Sequence, residues 1–184
     1  INSASIVIWT TTPWTLPANQ AVAIHSENKY ALVLVNNEIL IIADELHSAV
    51  LNRYGFTDYE VLVKCSGSKL EGLNLKHPFY ERIVPIVLGD HVTFETGTGA
   101  VHIAPGHGQD DYIVGQRYNL PIDNPVADNG CFVSGTKIFA GQHVFKANAS
   151  VISILEDNHN LLLQETIQHS YPHCWRHKTP IIFR

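Results

Sequence analysis

The sequence predicts a mixed α/β, β-rich fold in which a β-barrel-like core carries a few peripheral helices. Most apolar residues occur in short runs rich in Val, Ile and Leu, which are typical of strands. Only three segments have the periodicity or end signals of helices. The chain has 184 residues, of which 45% are hydrophobic and 16% charged, which is typical of one folded domain and excludes a disordered chain.

The first half of the chain alternates strand patterns with turn signals. Strands are predicted over residues 5–10, 21–24, 30–35 and 38–42. Asn36 and Asn37 separate the last two strands, and asparagine tolerates positive φ, so they predict a tight hairpin. A helix is predicted in ADELHSAVLNRYG, with Asp44 as its N-cap and Gly55 at its end.

The second half is predicted to contain more strands and two helices. Strand patterns cover residues 58–65, 82–88, 91–105 and 160–171, and the final run TPIIFR is also strand-like. A short helix is predicted over 109–119, with Asp110 and Asp111 in the first turn, where the helix dipole favours negative charge. The longest helix is predicted over 143–159.

Charge and cysteine content restrict the function classes. A net charge of −5 argues against a broad electrostatic grip on nucleic acid, although contact with one nucleotide or a tRNA end stays open. The three cysteines, Cys65, Cys131 and Cys174, form no CxxC pair. We therefore predict no disulfide framework and a reducing compartment, the cytoplasm.

Neither a membrane-spanning run nor a signal-peptide pattern is visible in the sequence. The chain opens without methionine at INSAS and closes on TPIIFR. We expect residues 1–184 to be a single domain cut from a longer protein.

A row of hydroxyls follows the first predicted strand, in the stretch IVIWTTTPWTLPAN. Thr10, Thr11 and Thr12 are consecutive, and each hydroxyl offers one donor and two acceptor sites, so together they can line a polar pocket. Pro13 predicts a bend directly after Thr12. The alternative is a β-branched strand end that binds nothing.

A glycine-rich stretch, FETGTGAVHIAPGHGQDDY, places a histidine and two aspartates on either side of a turn. His102 lies in an apolar strand pattern, and Asp110 and Asp111 open the helix that follows. Such residues can converge on one small polar ligand, and a carboxylate there suits an ammonium group. Taken singly, His102 is also explained as a hydrogen-bonded core residue and Asp110 as a helix cap.

The C-terminal stretch HSYPHCWRHK contains the residue types of a metal site. These are His169, His173, Cys174 and His177. Their spacing matches no standard zinc module, and a packed turn held by Pro172 and Trp175 explains them equally. A GxSxG nucleophile motif is absent from the sequence.

Three stretches together carry a family resemblance. WTTTPWTLPAN, GTGAVHIAPGHGQDDY and HSYPHCWRHKTPIIFR occur in the order found in the editing (connective peptide) domain of isoleucyl-tRNA synthetase, a class I aminoacyl-tRNA synthetase, and closely resemble it. Valyl and leucyl relatives carry an arginine within the threonine stretch, and this chain has none; a valyl-type domain is the alternative. The HIGH and KMSKS signatures of amino-acid activation are absent.

The resemblance implies a proofreading hydrolase. Discrimination by one methylene is worth only about 1–3 kcal/mol, and the rejection of valine by isoleucyl-tRNA synthetase is itself the standard example. The implied reaction is hydrolysis of the ester of misacylated Val-tRNA(Ile), with valyl-adenylate as a further candidate substrate. The alternative is a module that binds the acceptor end of aminoacyl-tRNA with little activity when isolated.

The resemblance also assigns roles to residues of this chain. Asp111 is implied to bind the α-ammonium of the wrong amino acid, and His102 to block the longer isoleucine side chain. Substrate and water are implied to contact Trp9, Thr10, Thr11, Thr12, Thr15 and Asn19; of these, Thr11 and Thr12, with Asp111, are the catalytic candidates.

The resemblance implies no metal and no cofactor. The implied partners are the acceptor end of misacylated tRNA, the misactivated amino acid or its adenylate, and the rest of the parent synthetase. A membrane is not among them.

Overall fold

The computed structural model describes residues 3–168 and 170–184. Within them it has eight strands: β1 Ala4–Ile6, β2 Ala21–Ile24, β3 Lys29–Val35, β4 Glu38–Ala43, β5 Glu60–Ser66, β6 Asn74–Lys76, β7 Ile83–Leu88 and β8 Ala100–Ile103. Three α-helices accompany them: α1 His47–Arg53, α2 Gln109–Arg117 and α3 Val144–Asp157. Two short 3₁₀ helices cover Pro13–Ala18 and Gly67–Lys69.

The predicted mixed α/β, β-rich fold is confirmed, and its core consists of two open sheets instead of a closed barrel. One four-stranded sheet has the order β1-β4-β3-β5, and the other has the order β6-β7-β2-β8. Each sheet contains one parallel pair, β1 with β4 and β2 with β7, and its other pairs are antiparallel.

The predicted β3–β4 hairpin is present. Asn36 and Asn37 have φ of 48° and 65°, and Val35 pairs with Glu38 across the turn. Positive φ at both turn residues matches the twist of the flanking strands, as in type I′ turns. The asparagine pair therefore sets the register of the first sheet.

Two strand predictions, 5–10 and 91–105, were too long, and two near the C-terminus were wrong. β1 ends at Ile6, so Thr10 lies beyond the strand. The segment 91–99 contains no strand, since Gly97 and Gly99 take the left-handed φ of 81° and 78° that suits turns. The described part of the segment 160–171 also contains no strand. In the final run TPIIFR, the structure shows only an isolated bridge between Pro180 and His173.

Asp44 does not cap α1, contrary to the sequence prediction. The helix begins after Leu46, and its first turn receives no side-chain cap. The Asp44 carboxylate instead pairs with the Lys64 ammonium of β5 at 2.7 Å. Gly55, with φ of 80°, follows the helix end as predicted.

α3 packs its apolar side on the first 3₁₀ helix. Val144, Ala147, Val151 and Leu155 follow helical spacing and form one buried cluster with Trp14. This cluster fixes the chain that follows the threonine row.

No helix of the described residues is long and apolar enough to cross a membrane.

The two sheets are joined where β4 and β8 meet. The amide of Ala43 donates to the Thr98 carbonyl at 3.0 Å. The buried Tyr30 hydroxyl donates to the Gly99 carbonyl at 2.7 Å and accepts from the amide of His25 at 2.9 Å. Burial raises the pKa of Tyr30 to about 12, so the hydroxyl keeps its proton and its donor role.

Gly99→Ala should destabilise the fold strongly, because a methyl group there would lie 2.3 Å from the Ala43 Cβ on a backbone with φ of 78°. We expect a loss of about 2–4 kcal/mol in the free energy of unfolding, measured by urea denaturation. Gly135→Ala is the matched control, since a methyl group there meets nothing within 4 Å. Equal stability of the two variants would contradict this packing.

Candidate functional site

The threonine row leads into a buried 3₁₀ helix. Pro13 occupies its first turn, where no amide donor is needed, and the amide of Thr15 donates to the Thr12 carbonyl at 3.0 Å. The Thr10 hydroxyl accepts from the amide of Thr12 at 3.0 Å. The bend expected after Thr12 is therefore present, and the backbone of the row is held by local hydrogen bonds.

A buried hydrogen bond joins this helix to β8. The Thr15 Oγ1 and His102 Nε2 atoms are 2.9 Å apart, and the Thr15 hydroxyl donates its proton to the Thr12 carbonyl at 2.9 Å. Since the hydroxyl has one proton, His102 Nε2–H is the donor to Thr15. This tautomer leaves His102 Nδ1 as a buried acceptor, one of the buried polar atoms without a hydrogen bond.

His77 contacts the same 3₁₀ helix. His77 Nδ1 accepts from the amide of Tyr80 at 3.1 Å, so Nε2–H donates to the Leu16 carbonyl at 3.0 Å. Nothing in the sequence around His77 distinguished it as part of this region.

His107 is the third imidazole beside this helix. Its Nδ1–H donates to the Phe183 carbonyl at 2.9 Å, and its ring lies edge-on to Trp14 with centroids 5.1 Å apart. His107 was not named among the expected site residues, although its position within the glycine-rich motif could have indicated that it belongs to this region.

All three imidazoles are held neutral. Burial, the main cause, lowers the pKa of His102 to about 4 and that of His77 to about 4, and it also lowers the pKa of His107. The neighbouring imidazoles add to the effect on His102. At neutral pH the region around the 3₁₀ helix is therefore polar but carries no imidazolium charge.

The Asp111 carboxylate folds back from α2 towards the end of β8. Its Oδ2 accepts from the amide of Ala104 at 2.8 Å, and Gly108 leaves room for it, since a Cβ there would lie 3.0 Å from the Asp111 Cγ. Burial is the main influence on the pKa of Asp111 and raises it, against the lowering effect of the Ala104 amide. Asp110, its neighbour, is exposed.

β8 therefore connects two of the expected site residues. His102 and Ala104 are two residues apart, which is roughly 7 Å along an extended chain. Thr15 is thus bonded to a residue within β8, and the Asp111 carboxylate is bonded to the backbone directly after the same strand.

A cavity of about 380 Å³ borders the threonine row. Its lining combines the row, α3 and the C-terminal segment: Thr11, Thr12, Trp14, Phe145, Asn148, Ile167, Gln168, Tyr171, His173 and Pro180. The described lining includes no Asp, Glu, Lys or Arg, and neither His102 nor Asp111 borders it. Thr11 and Thr12 thus border a cavity that is distinct from the buried Thr15–His102 pair.

Two further expected residues lie away from this cavity. Trp9 is 40% exposed and packs beside Gly97, in the loop before β8. Asn19 is buried, and its side-chain amide donates to the Ala21 carbonyl at 2.8 Å. The backbone carbonyl of Asn19 accepts from Arg82 Nη1 at 2.7 Å. Asn19 fixes the junction between the 3₁₀ helix and β2.

The C-terminal histidines form no metal cluster in the part of the chain that the structure describes. In residues 3–168 and 170–184, no group of three or more His, Cys, Asp or Glu side chains is placed to hold an ion. Cys174 Sγ and His177 Nδ1 are 3.5 Å apart, and His173 Nδ1–H donates to the Tyr171 carbonyl at 2.7 Å. His169 lies outside the described residues.

Solved structures of low sequence identity share the fold. GlLeuRS-CP1 superposes with a TM-score of 0.71 at 15% identity, covering 91% of this chain and 87% of that one. The cytosolic leucyl-tRNA synthetase editing domain of P. knowlesi gives 0.64 at 13% identity, covering 83% and 82%. These comparisons support the two-sheet architecture.

Curated relatives match nearly the whole chain. The isoleucine–tRNA ligase of Nitrosococcus oceani is 61% identical over 184 residues, which are 98% of this chain and 20% of that protein. The isoleucine–tRNA ligase of Coxiella burnetii is 58% identical over 183 residues, with 97% and 20% covered. The chain spans about one fifth of the length of these relatives.

The family model described as "Leucyl-tRNA synthetase, editing domain" matches residues 2–136. Together with the isoleucine–tRNA ligase matches, it confirms the resemblance to the editing domain of isoleucyl-tRNA synthetase that the motifs predicted. The chain therefore belongs to the editing-domain family of the leucyl-type aminoacyl-tRNA synthetases.

Proposed function

We propose that this chain hydrolyses the ester of a misacylated tRNA, with valine attached to isoleucine tRNA as its substrate and valyl-adenylate as a second one. The family supports an editing reaction, and the isoleucine–tRNA ligase relatives support valine as the amino acid removed. The observation that carries the proposal is a pair of hydrogen bonds at β8: Thr15 is bonded to His102 within the strand, and the Asp111 carboxylate accepts from the amide of Ala104 directly after it.

Asp111 is the proposed ligand of the substrate's α-ammonium. A carboxylate has about four acceptor positions, and the Ala104 amide uses one of them, so others stay available to an N–H donor. Burial raises the pKa of Asp111, and a bound ammonium would offset that effect by favouring the ionised form. The site therefore favours ligands that bring their own positive charge.

His102 is the proposed limit on side-chain size. The residue is 8% exposed, its Nε2–H is bonded to Thr15, and its neutral state removes any need for a counter-ion. A ring fixed in this way is a rigid boundary. We infer that it leaves room for valine and excludes the longer isoleucine side chain.

Thr11 and Thr12 are proposed to orient the attacking water. Both line the cavity, and the Thr12 backbone is fixed by bonds to Thr10 and Thr15. Hydroxyls held in place lower the cost of ordering water and substrate at the moment of reaction. The proposed mechanism uses no side-chain nucleophile, metal or cofactor.

We infer that residues 1–184 act as one domain of a longer isoleucyl-tRNA synthetase in the cytoplasm. The rest of that protein would deliver the acceptor end of the tRNA, since the chain alone carries a net charge of −5. The same lack of an obvious tRNA-holding surface keeps a second candidate function open, a module that engages the acceptor end but turns over little when isolated.

Deacylation of Val-tRNA(Ile) by the purified chain separates the two functions. We expect release of valine above the spontaneous rate, with Ile-tRNA(Ile) spared. Acid precipitation of labelled aminoacyl-tRNA measures both reactions. Binding of Val-tRNA(Ile) without release of valine would contradict the hydrolase and support the binding module.

Asp111→Asn should abolish amine recognition without a loss of stability. The folded protein holds the Asp111 proton more tightly than the unfolded chain, so folding stability falls as pH rises through the raised pKa. Asparagine removes this effect and can still accept from the Ala104 amide. We expect unchanged or higher thermal stability at pH 7 and at least about tenfold weaker binding of a valine–adenosine amide by calorimetry.

Asp110→Asn is the matched control for this prediction, because the residue is exposed and lies in the same helical turn. It should bind the amide as the unmodified chain does. Equal weakening in both variants would contradict the role given to Asp111.

His102→Ala should let the chain deacylate Ile-tRNA(Ile), because removing the ring opens space where the longer side chain is excluded. The same change leaves the Thr15 hydroxyl without its donor and should cost about 1–3 kcal/mol of stability. Thr15→Val, which also breaks the bond but leaves the ring, is the control. A His102→Ala protein that deacylates Val-tRNA(Ile) and still spares Ile-tRNA(Ile) would refute the size limit.

A further inference from the structure

The last part of the chain forms a small ordered hairpin at residues 171–181. The amide of Cys174 donates to the Thr179 carbonyl and that of Lys178 to the Cys174 carbonyl, both at 2.8 Å. The amide of Ile181 donates to the Pro172 carbonyl at 3.0 Å. The tip of this C-terminal hairpin is therefore a defined turn.

The C-terminal hairpin lies in a part of the chain with the opposite charge to the rest. All 17 acidic residues occur at or before Glu165, although the whole chain has a net charge of −5. Arg176, Lys178 and Arg184 follow without any acidic residue between or after them. Arg184 pairs with Asp128, whereas no ion pair in the described residues engages Arg176 or Lys178.

An exposed indole stands beside these cations. Trp175 is 76% exposed, the highest value among the large hydrophobic residues that the structure describes as exposed. The Arg176 guanidinium lies 5.2 Å from the centroid of its ring. An aromatic ring with adjacent cations is the arrangement on which unpaired bases stack while their phosphates are neutralised.

The base of the C-terminal hairpin borders the cavity beside the threonine row. His173 and Pro180, which pair across the hairpin, both line that cavity with Thr11 and Thr12. The hairpin and the threonine hydroxyls are thus connected through residues that line one cavity.

We propose that the C-terminal hairpin binds the single-stranded 3′ end of RNA, with a base stacked on Trp175 and phosphates held by Arg176 and Lys178. This proposal rests on the proposed function for the identity of the RNA, the acceptor end of tRNA. It assigns the hairpin the task of holding the unpaired nucleotides that precede the esterified one.

The test measures affinity for RNA hairpins that carry no amino acid. One RNA has a four-nucleotide single-stranded 3′ end and the other has a blunt end, and fluorescence anisotropy of labelled RNA gives both affinities. We expect the 184-residue chain to prefer the overhang, Trp175→Ala to weaken overhang binding about tenfold, and Trp175→Phe to retain most of it. Thermal unfolding should be unchanged in both variants because the side chain is largely exposed.

Charge is tested by salt dependence. The double variant Arg176→Ala/Lys178→Ala should lower the slope of log affinity against log salt by roughly 1.4, the value for two phosphate contacts on a single strand. Lys69→Ala/Lys137→Ala, which removes two exposed lysines outside the hairpin, is the matched control and should keep the original slope.

Three results would overturn the proposal: no measurable RNA binding by the chain, equal affinity for overhang and blunt RNA, or an unchanged affinity in Trp175→Ala. The last would leave the hairpin as a surface for protein. Hydrolysis of valyl-adenosine, which lacks the preceding nucleotides, should be unaffected in the hairpin variants. If neither the variants nor the unmodified chain hydrolysed valyl-adenosine, the proposed function would be refuted. The comparison of affinities for overhang and blunt RNA would still test the hairpin.

Discussion

The buried hydrogen bond between Thr15 and His102 is the constraint on which the site depends. It joins the first 3₁₀ helix to β8 across 87 residues of sequence. On one side it positions the threonine row at the cavity, and on the other it fixes the strand whose next residues hold the Asp111 carboxylate. The second hydrogen bond of the Thr15 hydroxyl, to Thr12, carries the constraint into the row itself.

The chemistry of this arrangement is mostly neutral. Burial keeps His77, His102 and His107 uncharged at neutral pH, and the described lining of the cavity contains no Asp, Glu, Lys or Arg. The partly buried Asp111 carboxylate lies outside that cavity, and an ammonium group would stabilise its ionised form where a neutral group would not. In the proposed mechanism, electrostatic recognition is assigned to Asp111, and shape and hydrogen bonding are assigned to His102 and the threonines.

Local sequence patterns predicted the elements whose signals are short-range. The Asn36–Asn37 hairpin, α2 and α3 follow directly from turn residues and apolar spacing. The strand predicted over 160–171 failed because the described residues of this segment have no pairing strand, and Leu161 and Leu162 pack against buried clusters instead. Asp44 failed as a cap because α1 begins only after Leu46, and the Asp44 carboxylate pairs with Lys64, which is distant in sequence.

The candidate site was predicted only in its components. Sequence motifs named Thr15, His102 and Asp111, but the bond between the first two joins distant segments and has no local signal. The same holds for His77, whose place beside the 3₁₀ helix depends on the packing of β6 and β7. Asn148 lines the cavity because of the way in which α3 packs against the first 3₁₀ helix, and the apolar spacing of α3 alone does not determine that packing.

The most direct measurement is a crystal structure of the chain with a hydrolysis-resistant amide of valine and adenosine. The account predicts the ammonium within about 3 Å of the Asp111 carboxylate, the isopropyl group against the His102 ring, and the amide carbonyl near Thr11 and Thr12. A complex in which the ammonium lies away from Asp111, with the threonine hydroxyls bound only to solvent, would contradict it.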